Sequence, residues 1–259
     1  MSHVHTRLRP FRRSPLRLGL APILLSLTVS GIAQADDRVT LGAGVAVIPR
    51  YEGSSEYAGK GVPVIDAQIG SFYARTDQGI GLNLIQTPGL TLSAGANMLW
   101  GYGSDVMPRG IGGLSDEVGA RLGLSMKIAD TVFSVSALQA VTDSDRGMVA
   151  HARLAYPLFA GDRLHFTPSI ATSWATEKYM DSYFGITAGE SYRSGLAQYQ
   201  PTSGFKDVSA RMAFNYALTE RLSLMGSVGV IRLVGEAADS PLVEQKTQTY
   251  TLIGGSYSF

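Results

Sequence analysis

Two histidines, His151 and His165, are the candidates for acid–base chemistry beyond the first 35 residues of this chain. A hydrolase would need one of them within hydrogen-bond reach of a serine nucleophile or a carboxylate. The sequence has no Gly-x-Ser-x-Gly elbow, no His-Glu-x-x-His zinc motif and no cysteine. A hydrolase therefore remains an alternative, and we expect no enzyme activity, no metal site and no cofactor.

Basic side chains form a second group of candidates. The polar side of several alternating segments carries ionisable residues: Arg121, Lys127, His151, Arg153, His165 and Arg211, with Asp66 and Asp207 as nearby acids. If these segments enclose a lumen, the arginines could pair with carboxylates in a structural network. Alternatively, Arg121, His151, Arg153 and Arg211 could form a cationic constriction that favours anionic solutes. The sequence leaves both interpretations open.

Segments with period-2 alternation must hold these side chains in place. One side of 118–128 reads Val-Ala-Leu-Leu-Met-Ile and the other reads Gly-Arg-Gly-Ser-Lys, and 90–100, 164–174 and 208–218 alternate similarly. Runs of about ten residues suit strands that cross the ~25 Å apolar band of an outer-membrane barrel. Strands of soluble sheets are usually shorter, at ~5–6 residues. The pattern predicts an all-β fold, a transmembrane antiparallel up-and-down barrel formed by residues 36–259.

The lengths of the connections predict the number of strands. We expect strands at 38–48, 61–69, 71–76, 79–87, 90–101, 116–128, 131–141, 147–159, 163–176, 205–217, 221–233 and 246–259. Tight turns alternate with long loops, as periplasmic turns and outer loops do in such barrels. The long loops are 49–60, 102–115, 177–204 and 234–245. This alternation holds only if Gly70 forms a tight turn, so we predict twelve strands, with ten as the second choice.

The last predicted strand ends on aromatic residues. Tyr257 and Phe259 share one face with Ile253 and Gly255. Such a face is typical of a closing strand whose aromatic residues lie at the membrane interface. We expect Tyr257 and Phe259 to be the barrel-assembly signal read by the barrel-assembly machinery, with outer-membrane lipid and lipopolysaccharide around the barrel.

The first 35 residues have the composition of a cleaved Sec signal peptide. Residues 1–17 contain five arginines and no acid, and an apolar run follows from Leu18 to Ala33. The small residues of Ala33-Gln34-Ala35 predict cleavage after Ala35. An N-terminal anchor is the alternative, although the run is short for a span of ~20 residues. Cleavage would leave 17 basic and 21 acidic residues. That balance argues against a nucleic-acid partner and, with export, places the protein in the outer membrane of a Gram-negative envelope.

The predicted outer loops carry the candidate functional loop residues. These are Tyr51, Gly53 and Ser54 in the first loop, Tyr183, Phe184, Gly185, Tyr199 and Pro201 in the longest, and Asp239, Ser240 and Pro241 in the last. Tyrosine, phenylalanine and leucine prefer packing to exposure. We therefore expect the 177–204 loop to fold over or into the barrel mouth as an ordered plug or lid.

Four loop motifs together resemble the MipA/OmpV family of outer-membrane proteins. They are Pro49-x-Tyr51-x-Gly53-Ser54, Tyr183-Phe184-Gly185-Ile186-Thr187, Ser194-Gly195-Leu196 with Tyr199-x-Pro201, and Ala238-Asp239-Ser240-Pro241-Leu242-Val243. The resemblance extends from about Val39 to Phe259. It implies a non-enzymatic barrel, a scaffold that bridges a murein lytic transglycosylase to a murein-polymerising synthase. Other members of the family are described as porin-like or adhesive, and the family supplies no catalytic residues.

These expectations do not fit together completely. A scaffold for murein enzymes needs periplasmic surface, yet the predicted periplasmic turns contain only a few residues each. Docking would have to use the barrel rim and these turns. The leading hypothesis is a scaffold or interaction protein, and the alternatives are a small-solute channel with a cationic lumen and a surface adhesin.

Overall fold

The computed structural model describes residues 37–142 and 144–259. The predicted signal peptide and its cleavage site therefore lie outside the described residues. Within the described ranges, no helix is long and apolar enough to cross a membrane.

Within the described residues, thirteen strand segments form one closed antiparallel sheet. They are β1 (Arg38–Pro49), β2 (Tyr57–Ile69), β3 (Phe72–Arg75), β4 (Gly79–Gln86), β5 (Leu90–Leu99), β6 (Glu117–Ile128), β7 (Thr131–Ala140), β8 (Met148–Ala155), β9 (Leu158–Ala160), β10 (Leu164–Ala175), β11 (Gly204–Ala217), β12 (Leu222–Leu233) and β13 (Thr247–Ser258). β8 and β9 both pair with β10 and are two parts of one strand. The sheet closes because β13 pairs with β1, so the predicted twelve-stranded barrel is confirmed.

Alternation along the strands separates a lipid-facing surface from a lumen. On β1, Leu41, Val45 and Val47 are exposed on the outer face, whereas Ala46 and Ile48 are buried inside. The rings of Tyr257 and Phe259 lie 5.0 Å apart on the outer face at the end of β13. These apolar positions give the barrel the outer band expected of a protein that contacts lipid.

The seam between β1 and β13 depends on glycine. Thr40 to Val47 pair with Ser258 to Thr251. A Cβ at Gly42 would lie 2.1 Å from the backbone oxygen of Gly255, and one at Gly44 would lie 2.7 Å from that of Ile253. The two backbones therefore approach too closely here for any other residue.

Two predicted strand boundaries were wrong. β2 begins at Tyr57, not at residue 61, and the predicted strand 147–159 is interrupted after Ala155. Pro157 lies in the interruption, and proline has no N–H to donate to a sheet. Before it, the Tyr156 amide still donates to the Pro168 carbonyl at 3.0 Å.

The outer loops contain a 3₁₀ turn, Ser144–Arg146, and three helices, α1 (Glu177–Phe184), α2 (Ala188–Ser194) and α3 (Gly235–Asp239). A capping box begins α2: Thr187 accepts from the Glu190 amide, and the Glu190 side chain accepts from the Thr187 amide. Gly195, in the left-handed conformation, ends it. Local sequence therefore orders much of the longest loop.

The long outer loops pack together over the barrel. We call residues 50–56, 100–116, 176–203 and 234–246 the cap. Its buried side chains form one apolar cluster with inward-facing residues at the outer ends of the strands: Tyr51, Tyr102, Met107, Ile111, Tyr179, Met180, Tyr183, Phe184, Ile186 and Leu242 from the cap, with Leu99, Leu138, Val149, Ala175 and Leu233 from the barrel. The predicted ordered lid formed by the longest loop is confirmed.

Candidate functional site

A cavity of about 620 Å³ lies in the lumen beneath the cap. Tyr51, Glu52, Tyr179 and Tyr183 of the cap line it, and polar inward side chains of the strands form its walls. We call this cavity the lumenal chamber. A cavity of this size falls within the ~300–1,000 Å³ typical of small-molecule sites.

The four predicted lumen residues all line the lumenal chamber. They are Arg121 on β6, His151 and Arg153 on β8 and Arg211 on β11. Asp77 joins them from the turn between β3 and β4, where it interacts electrostatically with Arg75, Arg121 and Arg153. The chamber wall is therefore rich in guanidinium groups.

A second polar network lies nearer the inner end of the barrel. Asp66 Oδ1 accepts from Arg75 Nε at 3.2 Å, and Asp66 Oδ2 accepts from Arg38 Nη2 at 3.3 Å. Arg75 also donates to Gln68 Oε1 at 3.0 Å. Pairing with carboxylates therefore accounts for part of the lumenal charge, as the structural interpretation of the sequence expected.

A β-bulge brings two adjacent charged residues into the lumen. The register of β10 against β11 shifts between Ser173 and Trp174, and both Lys206 and Asp207 are buried. Lys206 Nζ lies 2.8 Å from Glu52 Oε2 in the cap and 2.8 Å from Asp207 Oδ2 beside it. The bulge thus aims the lysine at a cap carboxylate. Burial raises the pKa of Glu52, while the adjacent ammonium opposes that shift.

His151 contacts a serine, but in an arrangement unlike that of a hydrolase. Its Nδ1 lies 3.0 Å from Ser173 Oγ, and Ser173 Oγ donates to Asp207 Oδ1 at 3.0 Å. A hydroxyl has one proton to donate, so Ser173 accepts from His151. In a catalytic triad the histidine stands between the acid and the serine and removes the serine's proton. Here the serine stands in the middle, and its proton goes to the carboxylate.

His165 lies far from this group. Its ring contacts Phe159, with ring centroids 4.8 Å apart. His165 and Ser173 both belong to β10, and eight residues of strand span roughly 26 Å. The two histidines therefore cannot serve one site.

The candidate loop residues hold the segments of the cap together. Tyr183 Oη donates to the Trp100 carbonyl at 2.8 Å, and Ser240 Oγ donates to the Phe184 carbonyl at 2.6 Å. The Gly53 amide donates to Gln248 Oε1 at 3.0 Å, and Tyr51 Oη donates to the Leu242 carbonyl. These contacts give the motif residues a role in packing.

The remaining loop candidates are distributed over the cap. Tyr199 Oη donates to the Glu236 carbonyl at 2.7 Å, and exposed Asp239 pairs with Lys246 at 3.0 Å. Ser54 and Pro201 are buried, while Gly185 and Pro241 are half-buried. The predicted loop residues therefore do not converge on one accessible site.

Sequence reasoning missed Glu52, Asp77, Arg146 and Lys206. Arg146 is buried under the cap, where it donates to the Tyr183 hydroxyl at 3.1 Å and to the Ser115 carbonyl. Glu52 falls inside the Pro49–Ser54 motif, and this position could have drawn attention to it. Neither Asp77 in a short turn nor Lys206 beside a bulge has a comparable local signal.

The closed antiparallel sheet, its apolar outer band and its capped lumen define an outer-membrane β-barrel protein. The sequence model of the MltA-interacting protein MipA family matches residues 41–259. The chain belongs to this family.

Individual relatives agree with this assignment. The MltA-interacting protein of Escherichia coli K12 is 28% identical over 244 residues, which cover 93% of this chain and 98% of that one. YiaT of Escherichia coli O157:H7, described as an outer membrane protein, is 28% identical over 257 residues, with coverages of 94% and 96%. The solved NanC porin is similar with a TM-score of 0.41 at 11% identity and covers 86% of this chain and 99% of that chain. The structural likeness is too weak to carry a functional argument.

Proposed function

We propose that the protein is a non-enzymatic outer-membrane scaffold that holds murein-hydrolysing and murein-synthesising enzymes at the periplasmic face of the membrane. The observation that carries the proposal is the packed cap, because a solute pore needs a path through the outer mouth that the cap covers. Membership in a family named for interaction with MltA supports the same role.

The docking surface would be the periplasmic rim of the barrel. Charged residues of both signs lie in or beside its short turns, including Asp130, Asp162, Arg163, Glu220 and Arg221. Such a rim can select a partner through complementary charge. The large cap faces the other side of the membrane and would stay outside the complex.

Site-specific photo-crosslinking tests this proposal. A photoreactive residue replaces Asp130 or Glu220 in the full chain within native envelopes, and the control position is Tyr192 on α2, which is 92% exposed. We expect the two rim positions to crosslink a murein lytic transglycosylase or a murein synthase, and Tyr192 to crosslink neither. Recovery of no murein enzyme from the rim, or equal recovery from Tyr192, would reject the scaffold role.

A small-solute channel is the second candidate, because Arg121, Arg153 and Arg211 line the lumenal chamber. Planar-bilayer recordings of residues 36–259 beside a variant lacking 178–203 separate the two functions. The scaffold proposal expects a silent parent protein and a conducting deletion variant. A steady anion-selective current through the parent protein would favour the channel, and Arg121→Gln should then weaken its selectivity. Heat-dependent gel migration verifies that each variant has folded.

A further inference from the structure

The barrel wall has a gap between β2 and β5. Within the described residues, β3 pairs with β2 only from Asp66 to Ile69, and the pairing of β4 with β5 extends only to Ile80 and Ala96. The outer half of β2 and the last three residues of β5 therefore have no strand between them. We call this gap the side notch. It is bounded by 57–63 of β2, the turn 76–79 and 97–99 of β5.

The residues of β2 suit an unpaired edge. Pro63 has no N–H to donate, and prolines in sheets occur at such edges. Its carbonyl accepts from Thr76 Oγ1 at 3.1 Å, and the Thr76 amide donates to Ile65, so one threonine ends the paired region. Gly59 and Gly61 follow toward the cap, and a Cβ at either would meet nothing within 4 Å. Because Gly61 pairs with Val45, which is exposed on the outer face, the lipid-facing side of this edge is open.

The side notch lies at the depth of the apolar band. Ile65 of β2 pairs with Leu41, and Gly61 pairs with Val45; both partners are exposed on the outer face of β1. Unpaired backbone at this depth is tolerated only where it lines a polar cavity, because hydrocarbon cannot satisfy its hydrogen bonds. The lumenal chamber meets that requirement, since Pro63, Gln78, Ile80 and Met98 at the notch also line it.

Positive charge lies directly behind the side notch. The turn that forms its floor carries Asp77, and Asn97 Nδ2 holds this turn by donating to the Asp77 carbonyl at 3.0 Å. The guanidinium groups of Arg75, Arg121 and Arg153 all attract the Asp77 carboxylate electrostatically. Asp66 also pairs with Arg75 and with Arg38, so two carboxylates lie among four guanidinium groups. This part of the chamber is therefore net positive, and guanidinium groups bind carboxylate and phosphate well.

We propose that the side notch admits a single-chain amphiphile with an anionic head group from the surrounding membrane. Its head group contacts Arg121 and Arg153, and its chain passes through the notch toward the lipid. The cap covers the outer mouth, so entry from the membrane avoids the packed cluster of cap residues. The chamber volume of about 620 Å³ suits one chain. This ligand site goes beyond the scaffold function and does not depend on it.

Energy transfer from tryptophan to cis-parinaric acid, a fluorescent fatty acid, tests the proposal. Residues 36–259 with the background substitution Trp174→Phe, which removes the second tryptophan, are placed in phospholipid nanodiscs. Trp100, which follows β5, lines the chamber and reports a bound probe. We expect saturable transfer. Gly61→Phe places a ring on the outer face at the opening of the notch and should weaken binding about tenfold, a change that corresponds to 1.4 kcal/mol. The control Ala210→Phe adds the same ring to an exposed position on β11 and should leave binding unchanged.

The head group is tested separately with the methyl ester of the same probe. Arg121→Gln combined with Arg153→Gln should weaken binding of the acid about tenfold or more, because the carboxylate loses its charge-assisted hydrogen bonds, and should leave the ester unaffected. Lys127→Gln removes one charge from the same face of β6 at an exposed position and should change binding of neither the acid nor the ester.

Equal binding of the acid by Gly61→Phe and Ala210→Phe, or unchanged binding by the arginine variant, would overturn the proposal. Crosslinking from the periplasmic rim should persist in Gly61→Phe, which separates this test from that of the scaffold.

Discussion

Glu52 and Lys206 are separated by 154 residues in sequence and form an ion pair with an Oε2–Nζ distance of 2.8 Å. Their side chains are only 12% and 6% exposed. The pair connects the first loop of the cap to the bulge on β11, where Asp207 gives the lysine a second carboxylate. One buried ammonium thus links the cap to the barrel wall.

Removal of the Glu52 carboxylate, the cap member of this ion pair, should therefore destabilise the protein. We expect Glu52→Ala to lower the free energy of unfolding by about 3 kcal/mol, because it leaves a buried ammonium with fewer partners. Glu56→Ala is the matched control, since Glu56 lies in the same loop and pairs with Arg50 at 2.8 Å while 68% exposed; exposed pairs contribute ~0–1 kcal/mol. Urea unfolding in lipid vesicles, followed by tryptophan fluorescence, measures both. Equal losses of unfolding free energy in Glu52→Ala and Glu56→Ala would mean that the buried ion pair does not anchor the cap.

The hydroxyl of Tyr183 should also stabilise the cap. It donates to the Trp100 carbonyl at 2.8 Å and accepts from Arg146 at 3.1 Å. Tyr183→Phe should lower the free energy of unfolding by about 1 kcal/mol or somewhat more, because it leaves buried polar groups with one partner fewer. Tyr192→Phe, at an exposed position on α2, should have no measurable effect in the same unfolding experiment. If Tyr183→Phe left the free energy of unfolding unchanged, Arg146 and the Trp100 carbonyl would have found other hydrogen-bond partners.

Gly53 should tolerate alanine less well than another glycine with positive φ. Gly53 has φ +99° and Gly161 has φ +74°, so alanine is strained at both positions. At Gly53 the new Cβ would also lie 2.7 Å from Val243 Cγ2, whereas at Gly161 nothing lies within 4 Å. We expect Gly53→Ala to reduce the melting temperature clearly more than Gly161→Ala. Similar reductions would show that Val243 moves aside freely.

The contact between the first and last cap loops should weaken in acid. The Ser55 amide donates to Glu244 Oε2 at 3.0 Å and the Ser55 hydroxyl also donates to it; these bonds lower the pKa of Glu244. A carboxyl whose pKa falls on folding adds stability above its unfolded pKa, near 4.3, and this stability is lost as the pH falls through the folded value. Hydrogen-exchange protection of the Ser55 amide should therefore fall between about pH 5 and about pH 3.

The variant Glu244→Gln provides the control for this pH dependence. A glutamine does not titrate, so protection of the Ser55 amide should be flat with pH and lower than in the parent protein at pH values where Glu244 is ionised. Identical pH profiles for the parent protein and the variant would assign the acid effect to another group.

Alternation in the sequence predicted most of the barrel because side chains on a strand point alternately to lipid and lumen. It located the lumenal arginines for the same reason. It missed residues 57–60 at the start of β2, since Gly59 and its neighbours have the composition of a loop. Gly61 and Pro63, inside the predicted strand, continue the same unpaired edge. These residues form a strand edge, and their small or proline side chains suit the lack of a partner strand on one side.

The bulge could not be predicted from alternation. Lys206 and Asp207 are consecutive, so a regular strand would place one of them in the lipid. A single shift in register turns both inward. The contact with Glu52 depends on this shift and on a loop distant in sequence, and local patterns contain neither piece of information.

The seam between β1 and β13 has a consequence for the order of folding. Thr40 and Ser258 meet there although 218 residues separate them. Such distant pairing is slow, because the entropy of closing a long loop is lost before the contact forms. Until it forms, β1 and the strand at the other end of the growing sheet are both open edges that can pair with strands of other chains. Closure is therefore the step at which a barrel competes with aggregation, and the close-approaching glycines of the seam act at that step.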